Sequence, residues 1–165
     1  MLAKRLELPS VNTSKGGALN QNLYGQSVRA KSVLDSSTLT GAGLVVCTTG
    51  IRELHYTIPD QMDTTLDYIL ANTQAIANWW ADMRPGTVMV VLPPVENGSG
   101  QQGMSRVVTE AFLSKLIYPA VALDWYQQDK LHDIGTPNSW WYNWDHPNTT
   151  GHVGMADAVI SYLQQ

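Results

Sequence analysis

Three short apolar runs, separated by segments of helical length, constrain this chain more than any other feature. Leu44-Val45-Val46-Cys47 follows the loop Gly41-Ala42-Gly43 and is closed by Thr48-Thr49-Gly50. Thr87 to Leu92 and Ala120-Val121-Ala122-Leu123 are the other two. Runs of this length, apolar at consecutive positions, have the character of strands buried on both faces. Between the first two, Met62, Leu66, Ile69, Leu70, Ile76, Ala77 and Trp80 recur at helical spacing, opened by Pro59-Asp60 with Asp60 as the expected N-cap and ended by Arg84-Pro85-Gly86. A Gly/Pro-rich loop, Pro93 to Gly103, leads to a second helix marked by Val107, Val108, Ala111, Phe112, Leu113 and Leu116, and a last helix spans roughly Thr150 to Leu163. Strands alternating with helices predict a mostly parallel sheet covered on both faces, a three-layer α/β sandwich. In such sheets ligands bind beyond the C-terminal strand ends. Gly50-Ile51-Arg52-Glu53, Pro93-Pro94 and the loop after Asp124 all leave strands at that rim.

Composition narrows the class. A chain of 165 residues suits one domain, residues 1–165, with no linker to divide it. An apolar fraction of 44% with 15% charged residues is globular rather than disordered. The 10 basic residues are scattered among 14 acidic ones, which argues against nucleic-acid binding. The single cysteine, Cys47, excludes an intrachain disulfide and lies in an apolar run, where a small buried hydrophobe is expected rather than a reactive thiol. Met1 to Glu7 lacks the apolar core of a signal peptide, and no apolar run approaches the ~20 residues of a membrane span. Neither membrane contact nor a cofactor is therefore expected, and localisation is left open.

Residues 124–150 form a long polar and aromatic loop, longer than a plain connector. Four of the six Trp lie at or beyond Trp125 (with Trp140, Trp141 and Trp144), the other two being Trp79-Trp80. They could wall a sugar or acyl site, although sealing the loop against the domain is the commoner use of such large rings. The loop ends Asn143-Trp144-Asp145-His146-Pro147-Asn148-Thr149-Thr150-Gly151-His152. This sets the His146 imidazole, a group able to exchange a proton near neutral pH, on a Pro-braced turn before the final helix.

That segment resembles the last motif block of SGNH (GDSL-type) hydrolases, in which an Asp, two variable residues and a His-Pro pair precede a polar turn and a helix. Leu8-Pro9-Ser10-Val11-Asn12-Thr13-Ser14-Lys15-Gly16-Gly17-Ala18 is similar to the second block, with Gly17 matching its oxyanion-hole glycine. Gly50-Ile51-Arg52-Glu53 follows its strand as the third block, Gly-x-Asn-Asp, does. The resemblance implies an SGNH-like, flavodoxin-like fold and a site built from His146, Asn143, Gly17, Gly50 and Arg52. It also implies activity on acylated sugars or small esters.

Three departures qualify that activity. Arg52 stands where the oxyanion Asn belongs, and a guanidinium is a poor isostere for an amide. Asn143 stands at the triad Asp position, where an amide favours the wrong imidazole tautomer, a change costing about ten-thousandfold in a serine protease. No Gly-Asp-Ser occurs. Met1 to Leu8 resembles the tail of the helix before the second block, so the first strand and its nucleophile are expected upstream or on a partner chain. The expected consequence is an open sheet edge and an uncovered apolar face, filled by a protein partner or by Leu2, Leu6 and Leu8. Alternatives remain. Ser10 or Ser14 could be a relocated nucleophile, and Asp145 or, better placed, Asp124 could orient His146. His132, Asp133, His146 and His152 are close in sequence but lack zinc-motif spacing, so no metal is expected. Asn12-Thr13-Ser14, Asn97-Gly98-Ser99 and Asn148-Thr149-Thr150 fit glycosylation sequons and are taken as polar loops. Two functions follow: an ester hydrolase completed by another segment, or a catalytically silent binding or structural module of a larger extracellular or viral assembly.

Overall fold

The computed structural model describes residues 2–7, 9–13, 18–37, 41, 43–57, 59–94, 102–125, 140 and 147–165. In chain order the elements are α1 (Leu2–Arg5), a 3-10 turn (Asn20–Asn22), α2 (Leu23–Asp35), β1 (Leu44–Thr48), α3 (Ile51–Tyr56), a 3-10 turn (Pro59–Gln61), α4 (Met62–Met83), β2 (Val88–Leu92), α5 (Gln102–Lys115), β3 (Ala120–Ala122) and α6 (Thr149–Leu163). The strands form a parallel sheet in the order β1-β2-β3, with Leu44 beside Val88 and Met89 beside Ala120. The chain is thus of the α/β class.

The layering follows from handedness. The crossovers β1-α4-β2 and β2-α5-β3 step the same way across the sheet, so right-handed connections put α4 and α5 on one face. There Leu66, Ile69, Leu70, Ile76 and Trp80 of α4 and Val108 and Phe112 of α5 pack on Met89, Val91 and Ala120. Leu23 and Leu34 of α2 belong to the same cluster, as do Val45 and Cys47 of β1. On the other face, Val159 of α6, Leu2 of α1, Trp125 and Trp140 cover Val90 and Leu92. Successive residues of β2 point to opposite faces, so one run serves two cores, and Met89 to Leu92 are all buried.

Two local expectations are corrected. Asp60 is not the N-cap of α4: it sits in the 3-10 turn, and Gln61 takes the cap position without a side-chain bond. β1 is not buried on both faces, since Val46 and Thr48 are exposed. A strand's burial depends on its neighbours, and β1 pairs with β2 alone among the described residues. Met1 to Leu8 does contain a short helix, α1, and Glu7, two residues beyond its end, has a φ of 54°. Leu2 packs on the sheet face, and Arg5 pairs with Asp157 of α6.

Candidate functional site at the C-terminal rim of the sheet

The chain leaves β1 through Thr49 and turns at Gly50, whose φ of 91° is left-handed. A Cβ there would also lie 3.0 Å from Ile69 Cγ2, so both backbone conformation and packing require glycine. The turn lets α3 start at once, presenting Arg52 on the surface and Glu53 inward, both in its first turn.

Asn20, which sequence reasoning missed, ties this turn to the segment that follows Gly17. Its side chain is fully buried and donates to Thr49 Oγ1 at 2.9 Å and Thr73 Oγ1 at 3.2 Å. Asn72 Nδ2 donates to the Asn20 side-chain oxygen at 2.6 Å and to its carbonyl at 3.0 Å. The Asn20 backbone N–H donates to Glu53 Oε1. Every polar group of Asn20 is thereby engaged, as a buried amide requires. Glu53 Oε2 is also buried, and it finds no donor among the described residues. Nothing in Ala18-Leu19-Asn20-Gln21-Asn22 distinguishes this Asn from its polar neighbours, because the signal lies in contacts to residues distant in sequence.

At the other side of the rim, Asn148 caps α6: its side-chain oxygen accepts from Gly151 N–H at 3.0 Å, and its own N–H donates to the Trp140 carbonyl at 2.8 Å. Trp140 lies directly on Gly151 and Gly154, with no room for a Cβ at either. Two glycines one turn apart inside a helix, each costing up to ~1 kcal/mol relative to Ala, were the available signal of such a close approach. Trp125 is buried and donates from Nε1 to the Pro93 carbonyl at 2.8 Å, joining the loops after β2 and β3. Trp125 and Trp140 therefore pack against the core, as do Trp79 and Trp80 on the opposite face.

Between α6 and the sheet lies a cavity of about 410 Å³, lined by Leu2, Val46, Leu92, Met155, Ala156 and Val159, with Thr149 and His152 supplying its polar side. It adjoins the N-terminus of α6, where Thr149 and His152 lie.

Of the expected site residues, Gly50 and Arg52 stand together after β1, while Gly17, Asn143 and His146 lie outside the described residues. So do Ser14, His132, Asp133, Asp145, Trp141 and Trp144. Ser10 is exposed in an irregular segment, and His152 is exposed in the first turn of α6. Asp124 leaves β3 at the rim, but its carboxylate is 3.0 Å from Arg106 Nη1. The hydrogen bonds that Arg106 donates to Asp124 and Glu110 raise its pKa further. Among the described residues no group of three His, Cys, Asp or Glu side chains could hold a metal, and no helix is long and apolar enough to cross a membrane. Burial pushes the Cys47 thiol from its ordinary 9.0 up to about 12, leaving it protonated and unreactive at neutral pH.

No protein-family model matches the chain, and neither a curated protein nor a solved structure matches it.

Proposed function

We propose that this chain is an SGNH-like module, flavodoxin-like in topology and short of its first strand, whose rim is built for an ester or acylated sugar but does not turn it over unaided. The observation that carries this is the Asn20 network, which locks the segment after Gly17 to the Gly50 turn at one rim of the sheet. By the family resemblance, the Gly17 and Gly50 backbone N–H groups and the Arg52 guanidinium would serve as oxyanion donors. His146 would serve as the base, with Asn143 at the triad Asp position in the sequence. The apolar cavity under α6 has the size and lining for a short acyl group. A hydroxyl nucleophile would come from another segment or a partner chain, its proton passing to His146 as the acyl carbon is attacked. A second reading, a catalytically silent binding or structural module of a larger, extracellular or viral, assembly, rests on Arg52 and Asn143 standing where an amide and a carboxylate belong and on the lack of a Gly-Asp-Ser.

Two measurements test this. The purified chain should hydrolyse p-nitrophenyl acetate and butyrate no faster than buffer, and a robust turnover abolished by His146→Ala would overturn the claim of inactivity. Titration of the isotopically labelled chain with butyrate and with N-acetylglucosamine should shift amides of Gly17, Gly50, Arg52 and His146 together. Shifts confined to other faces of the sheet would remove the SGNH assignment and leave a generic α/β unit.

A further inference from the structure

The geometry points to α1 as a strap that closes over the cavity beneath α6 when an aliphatic chain with a hydrogen-bonding head group occupies it. The strap regulates the cavity read above as an acyl pocket, and it rests on that reading.

α1 is too short to stand by itself. It has four residues, and isolated helices shorter than about 12–15 residues are marginal at best in water, so its contacts hold it. Leu2 packs with Val90, Leu92 and Val159 and lines the cavity. Arg5 pairs with Asp157 of α6, and the two side chains are 43% and 52% exposed. An exposed pair of this kind shifts a docking equilibrium by no more than about fivefold. Beyond the helix, Glu7 has a φ of 54°, in the left-handed region that residues with a Cβ rarely adopt. That strain is released when α1 detaches. Docking is therefore finely balanced, with Glu7 as the hinge.

Closure, rather than obstruction, follows from where Leu2 sits. The cavity of about 410 Å³ exists with α1 docked, and Leu2 forms one of its walls while Leu92 and Val159 form others. An aliphatic chain can thus enter without expelling Leu2, and it touches Leu2 only while α1 is docked. A ligand shifts an equilibrium by its differential affinity for the two states, so each apolar contact with Leu2 favours the docked strap. Thr149 and His152, in the first turn of α6, offer a hydroxyl and an imidazole to the head group. The coupling is reciprocal: whatever loosens Arg5 from Asp157 also weakens the ligand.

Hydrogen exchange in the full chain tests the strap, with n-hexanol as the probe because a neutral molecule leaves the Arg5–Asp157 pair undisturbed. The Leu6 N–H, which bonds the Leu2 carbonyl at 3.0 Å, reports whether α1 is docked. n-Hexanol should shift the amide resonances of Ala156 and Val159 and slow Leu6 exchange, by up to about tenfold at about ten times its Kd. Arg5→Ala should speed Leu6 exchange and weaken n-hexanol binding, each by about two- to fivefold, while exchange in β2 stays unchanged. Exchanging the charges, Arg5→Asp with Asp157→Arg, should restore both. Shifts at Ala156 and Val159 with Leu6 exchange unchanged or faster would overturn the strap and leave the acyl pocket standing. No shift at either residue up to the solubility of the alcohol would overturn both. Leu6 exchange indifferent to Arg5→Ala would also overturn the strap.

Discussion

Adding one methyl group to Gly151 should unseat Trp140 from α6. In an unhindered helix, Gly→Ala stabilises by up to about 1 kcal/mol. Gly25 in α2 provides that control, because a Cβ there meets nothing within 4 Å. At Gly154 the new Cβ would lie 2.7 Å from Cζ2 and Cζ3 of Trp140 and closer still to Cη2, so the ring edge must swing outward. At Gly151 it would lie 3.2 Å from the Trp140 carbonyl carbon and closer still to its oxygen, an atom that already accepts a bond from Asn148 N–H. A ring edge can rotate, but a backbone carbonyl moves only with its loop. Overpacking of this kind costs about 1–3 kcal/mol. Breaking the Asn148 bond adds about 1 kcal/mol. Against the propensity gain, Gly154→Ala should come out about 0–2 kcal/mol less stable, and Gly151→Ala about 1–3 kcal/mol less stable. Urea unfolding followed by tryptophan fluorescence and circular dichroism measures all three variants. A Gly151→Ala protein as stable as Gly25→Ala would refute the seating of Trp140 on α6.

Asn20→Ala should cost about 1–3 kcal/mol, since it removes the partners of Asn72 and Thr49 inside a buried network, whereas Asn72→Ala, truncating a partly exposed member, should cost less; denaturation midpoints check the order. Cys47 should impose a stability loss in alkali. Its thiol is held near 12 in the fold but ionises near 9 when unfolded, so the unfolded chain releases the proton first and stability falls as pH rises from about 9 to 12. Cys47→Ala should flatten that slope, and an unchanged slope in urea melts across this range would show that the thiol is not buried.

Much of the scaffold is legible locally. β1 begins at Leu44, α4 ends at Met83 just before Arg84-Pro85-Gly86, and α6 runs from Thr149 to Leu163, each within a residue or so of the sequence pattern. Apolar periodicity and the backbone restrictions of Pro and Gly act within a few residues of themselves. The rim is less legible. Gly50 and Arg52 are marked by the strand that precedes them, but Asn20 reads as loop polarity, and its burial comes from Thr49, Asn72 and Thr73. Asp124 reads as an available carboxylate, yet Arg106, eighteen residues earlier, holds it.

The sequence by itself determined the three strands and the helices α4, α5 and α6, that the strands run parallel, and that Cys47 is a packing residue, whereas α2 and α3 were not read from it. Those outcomes rest on periodicity, chirality and the distribution of apolar side chains. Only the tertiary structure decided that Val46 is open while Val90 is sealed, although both are valines in apolar strands of equal length. It also decided that Trp140 lies against two glycines of α6, and that a buried asparagine joins two loops. Burial is a property of what lies beside a residue in space. A strand's own side chains specify which faces can be covered, but the number of neighbouring strands and helices specifies which faces are.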